Sequence, residues 1–177
     1  MPQRNIYRIS ITGTESTGKT VLAEQLAAHY KTIFVPDYSR SYIERLDGKY
    51  NHTHVLEIAK GIIAQETKML RYAHRILFSD NDLTNIKIWL KYYKWHVPDW
   101  LEHEIVKRKY DLYLLCNIDI PWKADSQRAN PEDRLELFNS FVESLTDIEA
   151  NFSHVKGKEE KRLGSAIELI DEFLSHP

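Results

Sequence analysis

Ile6-Tyr7-Arg8-Ile9-Ser10-Ile11 alternates apolar and polar side chains and is rich in β-branched residues, which predicts a strand. Residues 19–30 then place Leu22, Leu26 and Tyr30 on one helical face. Thr32 to Val35 predicts a short strand stopped by Pro36, and a helical stretch follows Asp37 until Gly48. Thr53 reads as the N-cap of a long helix through Ala73, with Ile58, Ile62, Ile63, Met69, Leu70 and Ala73 as its apolar stripe. Arg75 to Asp80 predicts a hydrophobic strand ending in a carboxylate. Helices are expected over Leu83 to Tyr93 and from Pro98 to Lys109. Asp111 to Asn117 encloses a continuous apolar run, the mark of a strand buried on both faces. Residues 118–131 read as a loop or lid, Glu132 to Ile148 as a helix and Phe152 to Val155 as a fifth strand. Leu163, Ala166, Ile167, Ile170, Phe173 and Leu174 predict a closing amphipathic helix. Strands alternating with helices imply an α/β fold with a mainly parallel five-stranded sheet.

Between the first strand and the first helix lies Gly13-Thr14-Glu15-Ser16-Thr17-Gly18-Lys19-Thr20, a full G-x-x-x-x-G-K-[ST] phosphate loop. Each residue type has a task. Gly13 and Gly18 allow backbone approach that a Cβ would block. Successive amides can then converge on phosphate oxygens at a helix N-terminus. Lys19 reaches the β- and γ-phosphates, and the Thr20 hydroxyl is a Mg²⁺ ligand. A strand, the loop and a helix in that order make nucleotide binding the expected function. No N-K-x-D guanine motif is present, Asp80-Asn81-Asp82-Leu83 is not a D-x-x-G switch, and the chain is too short for a full AAA+ module. A three-layer P-loop NTPase fold of the nucleoside- and nucleotide-kinase kind remains. It is expected as one domain over residues 1–177, with a lid at about 121–134.

Asp80 ends the third strand, where a carboxylate can hold the Mg²⁺ that Thr20 also binds. Asp82 fits the cap of the following helix. Asp37 follows the second strand, and in open α/β sheets ligands collect at such strand ends. It can bind a substrate ribose or act as base, a task left open between Asp37 and Asp82, and Arg40 would share its helical face and steer phosphate. A purely structural Asp–Arg pair at a helix start is the alternative. Lys123, Arg128 and Arg134 lie in the segment read as a lid and could neutralise charge on a transferred phosphoryl group.

Composition narrows this only slightly. Hydrophobic residues are 42% and charged residues 28% of 177, as in ordinary globular chains. A net charge of -2 argues against a nucleic-acid grip by bulk positive charge. The single cysteine, Cys116, excludes an internal disulfide. No leader pattern or bilayer-length apolar run is visible, so a soluble cytoplasmic protein without membrane partners is expected. Trp89, Tyr92, Tyr93, Trp95 and Trp100 concentrate aromatic rings in one stretch. They suit either packing, including a homo-oligomer interface, or stacking on a flat ring. His52 and His54 make weak metal ligands by themselves.

Several segments together resemble the ribosylnicotinamide kinase domain of NadR-type proteins and a broader set of AAA-labelled P-loop ATPases. They are the phosphate loop, Val35-Pro36-Asp37-Tyr38-Ser39-Arg40, Ile58-Ala59-Lys60-Gly61, Phe78-Ser79-Asp80-Asn81-Asp82, Pro121-Trp122-Lys123-Ala124-Asp125 and Asp133-Arg134. The resemblance runs from residue 6 to about residue 150. It implies ATP and Mg²⁺ as cofactors and transfer of phosphate to the 5′-hydroxyl of nicotinamide riboside or another nucleoside-like small molecule. By position it puts Lys19 and Thr20 at the phosphates and metal, Asp37 at the ribose or as base, Asp80 at the metal, and Arg128 and Arg134 in the lid. The positions where the family's nicotinamide-stacking aromatics align hold Pro36 and Gln65. The adenylyltransferase signature H-x-G-H is lacking, so adenylyl transfer is not expected. The alternative readings are an ATP-dependent regulatory switch without small-molecule turnover, or a nucleoside or nucleotide kinase of other specificity.

Overall fold

A computed structural model describes residues 6–123 and 131–176. In chain order, β1 (Tyr7–Thr12) leads to α1 (Lys19–His29), β2 (Ile33–Val35), α2 (Tyr38–Glu44) and α3 (His52–Met69). Then come β3 (Ile76–Asp80), α4 (Leu83–Tyr92), α5 (Asp99–Lys107), β4 (Leu112–Cys116), α6 (Arg134–Asp147), β5 (Phe152–Val155) and α7 (Glu159–Ser175). The sheet has five strands in the order β2-β3-β1-β4-β5. All its pairings are parallel, as the alternation of strands with helices predicts.

Parallel strands need helical crossovers, and these cover both faces. On one side Ile9, Ile11, Phe78 and Leu114 pack with Leu22 and Leu26 of α1 and Ala166 and Ile170 of α7. On the other, Val55, Ile58 and Ile62 of α3 meet Leu83, Ile86 and Leu90 of α4 and Leu101 and Ile105 of α5. Tyr113 and Leu115 of β4 meet Phe141 and Leu145 of α6 there too. β3 and β4 are buried along their full length, and β4 accordingly reads as an unbroken apolar run, while β3 ends in the buried polar residues Ser79 and Asp80. Ile11 lies opposite Asp80 and Thr12 opposite Leu115, so the strands end level at their C-terminal edge.

Several helix boundaries differ from expectation. The N-cap of α3 is Asn51, not Thr53: its side chain accepts from the His54 amide at 3.1 Å while His54 Nδ1 accepts from the Asn51 amide at 3.3 Å. That reciprocal pair serves two orphan donors, which a threonine inside the helix would not do. The α-helix ends at Met69, and a 3-10 turn over Leu70–Tyr72 replaces its expected last turn. A 3-10 turn at Pro131–Asp133 likewise delays α6 to Arg134. Part of the segment read as a lid, including Arg128, lies outside the described residues.

Candidate functional site

The phosphate loop bridges the end of β1 and the start of α1. Gly13 has φ 128°, and a Cβ there would stand 3.0 Å from the Cys116 carbonyl oxygen. Gly18, at φ 75°, caps α1 without any side-chain hydrogen bond. The first-turn amides of α1 therefore have no side-chain cap, and its first turn holds no acidic residue. That leaves a positive helix end facing the loop, which suits an anion. Thr17 Oγ1 donates to the Thr14 carbonyl at 2.8 Å, and Lys19 Nζ donates to the same oxygen at 2.7 Å.

Thr20 Oγ1 donates to Asp80 Oδ2 at 2.6 Å, joining the loop to the end of β3. Asp80 is only 4% exposed. Burial pushes its carboxyl above the usual value, and the Asp37 charge adds to that push. The Thr20 hydroxyl, Lys19 and Arg40 pull the other way. A hydroxyl and a carboxylate side by side are hard oxygen donors of the kind Mg²⁺ takes. Among the described residues no cluster of three or more His, Cys, Asp and Glu offers a protein-only metal cage. Thr20 and Asp80 are the residues that would hold a metal here.

Asp37 caps α2: its Oδ1 accepts from the Ser39 amide at 2.9 Å and from Ser39 Oγ at 2.6 Å. Its Oδ2 faces Asn81 Nδ2 at 3.3 Å. Asn81 sits at φ 78°, a region that asparagine tolerates, and its amide donates to the Ile11 carbonyl at 3.0 Å. Through Asn81 the ends of β1 and β3 reach the β2–α2 turn, so Lys19, Thr20, Asp80 and Asp37 share one edge of the sheet. Asp82 goes elsewhere. It caps α4 through the Thr84 amide at 2.7 Å, takes Ser10 Oγ at 2.5 Å and is 1% exposed. Arg40 is exposed on α2, with its charge felt at Asp80.

Arg134 opens α6 and turns back to the phosphate loop. It donates to the Ser16 carbonyl at 3.0 Å and the Ile120 carbonyl at 2.8 Å. The Lys123 amide donates to Ser16 Oγ at 2.9 Å. Pro36 and Gln65, chosen from the sequence for what they lack, touch each other: Gln65 Nε2 donates to the Pro36 carbonyl at 3.2 Å. Nearby, the Tyr38 ring lies so close on Gly61 that a Cβ there would be 2.1 Å from its Cε1.

The aromatic surplus packs mostly on itself. Tyr50 meets Trp89 edge-on with centroids 5.0 Å apart, Tyr93 stacks on Trp95 at 4.9 Å, and the Tyr50 and Tyr93 hydroxyls are 3.0 Å apart. Trp89, Trp95 and Trp100 pack against the α3–α4–α5 core. His54 belongs to the α3 cap, and His52 Nε2 lies 2.8 Å from the His96 carbonyl. The Asn81 link to Asp37, the contacts of Ser16 with Arg134 and Lys123, and the Pro36–Gln65 contact were not picked out from the sequence. Only Asn81 carried a signal, as a residue tolerant of positive φ directly after a strand-end carboxylate.

The parallel order, the phosphate loop at the central strand and the Thr20–Asp80 contact define a P-loop fold of the nucleotide-kinase kind. More particularly, the chain belongs to the AAA domain family, whose family model matches residues 8–162. It is 28% identical over 176 residues to the trifunctional NAD biosynthesis/regulator protein NadR of Salmonella typhimurium. That match covers 96% of this chain and 43% of NadR, so the chain spans less than half of that relative. Among solved structures, NadR in complex with NAD and AMP-PNP superposes with a TM-score of 0.79 at 19% identity, over 97% of this chain and 50% of that one. Thymidylate kinase from Ehrlichia chaffeensis follows the same fold, with a TM-score of 0.67 at 12% identity over 94% and 97% of the two chains. No helix among the described residues is long and apolar enough to cross a membrane.

Proposed function

We propose that the protein is a MgATP-dependent kinase that phosphorylates the 5′-hydroxyl of a nucleoside-like small molecule, with nicotinamide riboside the first acceptor to try. The observation that carries this reading is the Thr20–Asp80 contact below a complete phosphate loop, with Asp37 tied to the same strand end by Asn81. The NAD-biosynthesis relative supports the acceptor class.

In this reading the loop amides and the start of α1 cradle the phosphates. Lys19 exchanges the Thr14 carbonyl for phosphate oxygens and stabilises the charge that spreads over them during transfer. Asp37 accepts a hydrogen bond from the acceptor hydroxyl and aligns it for in-line attack, while Ser39 and Asn81 keep the carboxylate from rotating. Thr20 and Asp80 are the residues that would hold Mg²⁺, which supplies neutralisation of phosphate charge when bound. Phosphoryl transfer asks little covalent chemistry of a protein, so positioning and electrostatics do most of the catalysis.

A second reading has its own observation. The Gln65–Pro36 contact is polar where a flat ring would want an aromatic wall, which favours another riboside or an ATP-dependent switch. To separate these, the protein is incubated with MgATP and a panel of ribosides that includes nicotinamide riboside, and the products are read by mass spectrometry. A monophosphate from one riboside is the expected result. ATP bound with no phosphorylated product from any of them would sink the kinase reading and leave the switch.

A further inference from the structure

Amides that converge on a phosphate leave their carbonyls facing outward, and those carbonyls need partners of their own. In this loop the Thr14 carbonyl has two, Thr17 Oγ1 and Lys19 Nζ. The Ser16 carbonyl has Arg134. Ser16 stands at φ 59°, left-handed backbone that a serine holds only when its surroundings enforce it. Contacts that hold it come from the segment after β4. Arg134 NH2 takes the Ser16 carbonyl at 3.0 Å while NH1 of the same planar fork takes the Ile120 carbonyl at 2.8 Å. The Lys123 amide takes Ser16 Oγ at 2.9 Å. The Ile120 side chain closes against Gly18, where a Cβ would lie 3.3 Å from its Cδ1. Thus the segment leaving β4 is stitched to the back of the loop, and one guanidinium fastens both.

We propose that Arg134 is a positioning residue: it braces the phosphate loop from outside in its anion-binding shape and does not touch the phosphoryl group that is transferred. This rests on the reading that the loop binds a nucleotide, though not on which acceptor is phosphorylated. Its geometry suits arginine, because two nitrogens of one rigid planar fork reach two separate carbonyls, whereas an ammonium must reach both from a single point on a flexible stem. Partial burial lowers the Arg134 guanidinium from its ordinary value, in keeping with a group turned into the protein.

A brace and a phosphate contact differ in which ligands feel their loss. A brace shapes the whole loop, so diphosphate and triphosphate suffer alike. An arginine on the terminal phosphate matters to the triphosphate alone. The test titrates fluorescent ADP and AMP-PNP, each with Mg²⁺, into the wild-type protein, Arg134→Ala and Arg134→Lys, with the ligand-free melting temperature of each. Arg134→Ala is expected to weaken both ligands by about tenfold, with their ratio and the melting temperature nearly unchanged. Arg134→Lys is expected to recover part of both affinities. A loss confined to AMP-PNP overturns the proposal, as does a fall in melting temperature with both affinities intact, or no loss at all. Should Arg134→Ala fail to fold, the same two-ligand comparison in Arg134→Lys decides the matter. If wild-type protein binds neither ligand, the nucleotide reading falls and this inference falls with it. If it binds both and the variants match it, only this inference falls.

Discussion

From Gly13 to Thr20 every group that would hold a phosphate comes from consecutive residues. The neighbouring region takes Asp37 and Tyr38 from the β2–α2 turn, Gly61 and Gln65 from α3 and Asn81 from the end of β3. The first region relies largely on backbone amides, which any sequence provides once two glycines permit the shape, with the Lys19 and Thr20 side chains added. The second uses side chains, and their identity sets what fits. In the proposed reading, phosphate chemistry can therefore stay constant while the acceptor wall changes, which is how one fold can serve several substrates.

The comparison breaks most sharply at Lys19. Lys19→Ala is expected to lower turnover by roughly 10²–10³-fold, read as phosphorylated product per unit time, because a single charge-stabilising donor carries that much. An equal loss from a change in the second region would contradict the division drawn here.

Asp80→Asn comes next and separates function from stability. Turnover should fall if Asp80 holds Mg²⁺ as proposed, while the melting temperature near neutral pH should rise. Burial holds the folded-state value of this carboxyl above its unfolded value, so the ionised form costs stability once pH exceeds the unfolded value near ~3.9. The advantage of the variant should shrink as pH falls through the folded-state value and vanish below the unfolded one, where aspartic acid is protonated in both states. Calorimetry across that pH range reads the trend, and a gain that grew toward acid would contradict it.

Gly61→Ala tests the second region alone. A Cβ at this helix position would displace the Tyr38 ring, so KM for the acceptor should rise by roughly tenfold with KM for ATP unchanged. A rise in KM for ATP would show that the two regions are mechanically coupled. Gly164→Ala in α7 is the small-effect control. Nothing lies within 4 Å of the added methyl, so a gain of about 0.5–1 kcal/mol is expected in denaturant unfolding, with both KM values unchanged.

Legibility in the sequence follows the same division. The strands, the phosphate loop and Asp80 could all be read because each signal is local. β4 shows itself as a buried run, and Gly13 to Thr20 carries its donors in order. Thr53 misled as a cap because Asn51, two residues earlier, is better placed to accept from the helix and His54 answers it. Asp37 was legible as a strand-end carboxylate, but its tie to Asn81 was not, since the two meet only when β2 and β3 lie side by side. Arg134 was read as a lid cation from its charge and position, and the carbonyls it meets belong to Ser16 and Ile120.

The sequence by itself determined the element order, the parallel α/β class and the phosphate loop, because hydrophobic period and contiguous motifs are properties of neighbouring residues. Tertiary structure alone decided that Gln65 meets Pro36, that Tyr38 lies on Gly61, that Asn81 reaches Asp37 and that Arg134 grips the back of the loop. Those contacts join residues far apart along the chain. Their partners are set by how the strands order and the helices pack, which no local pattern encodes.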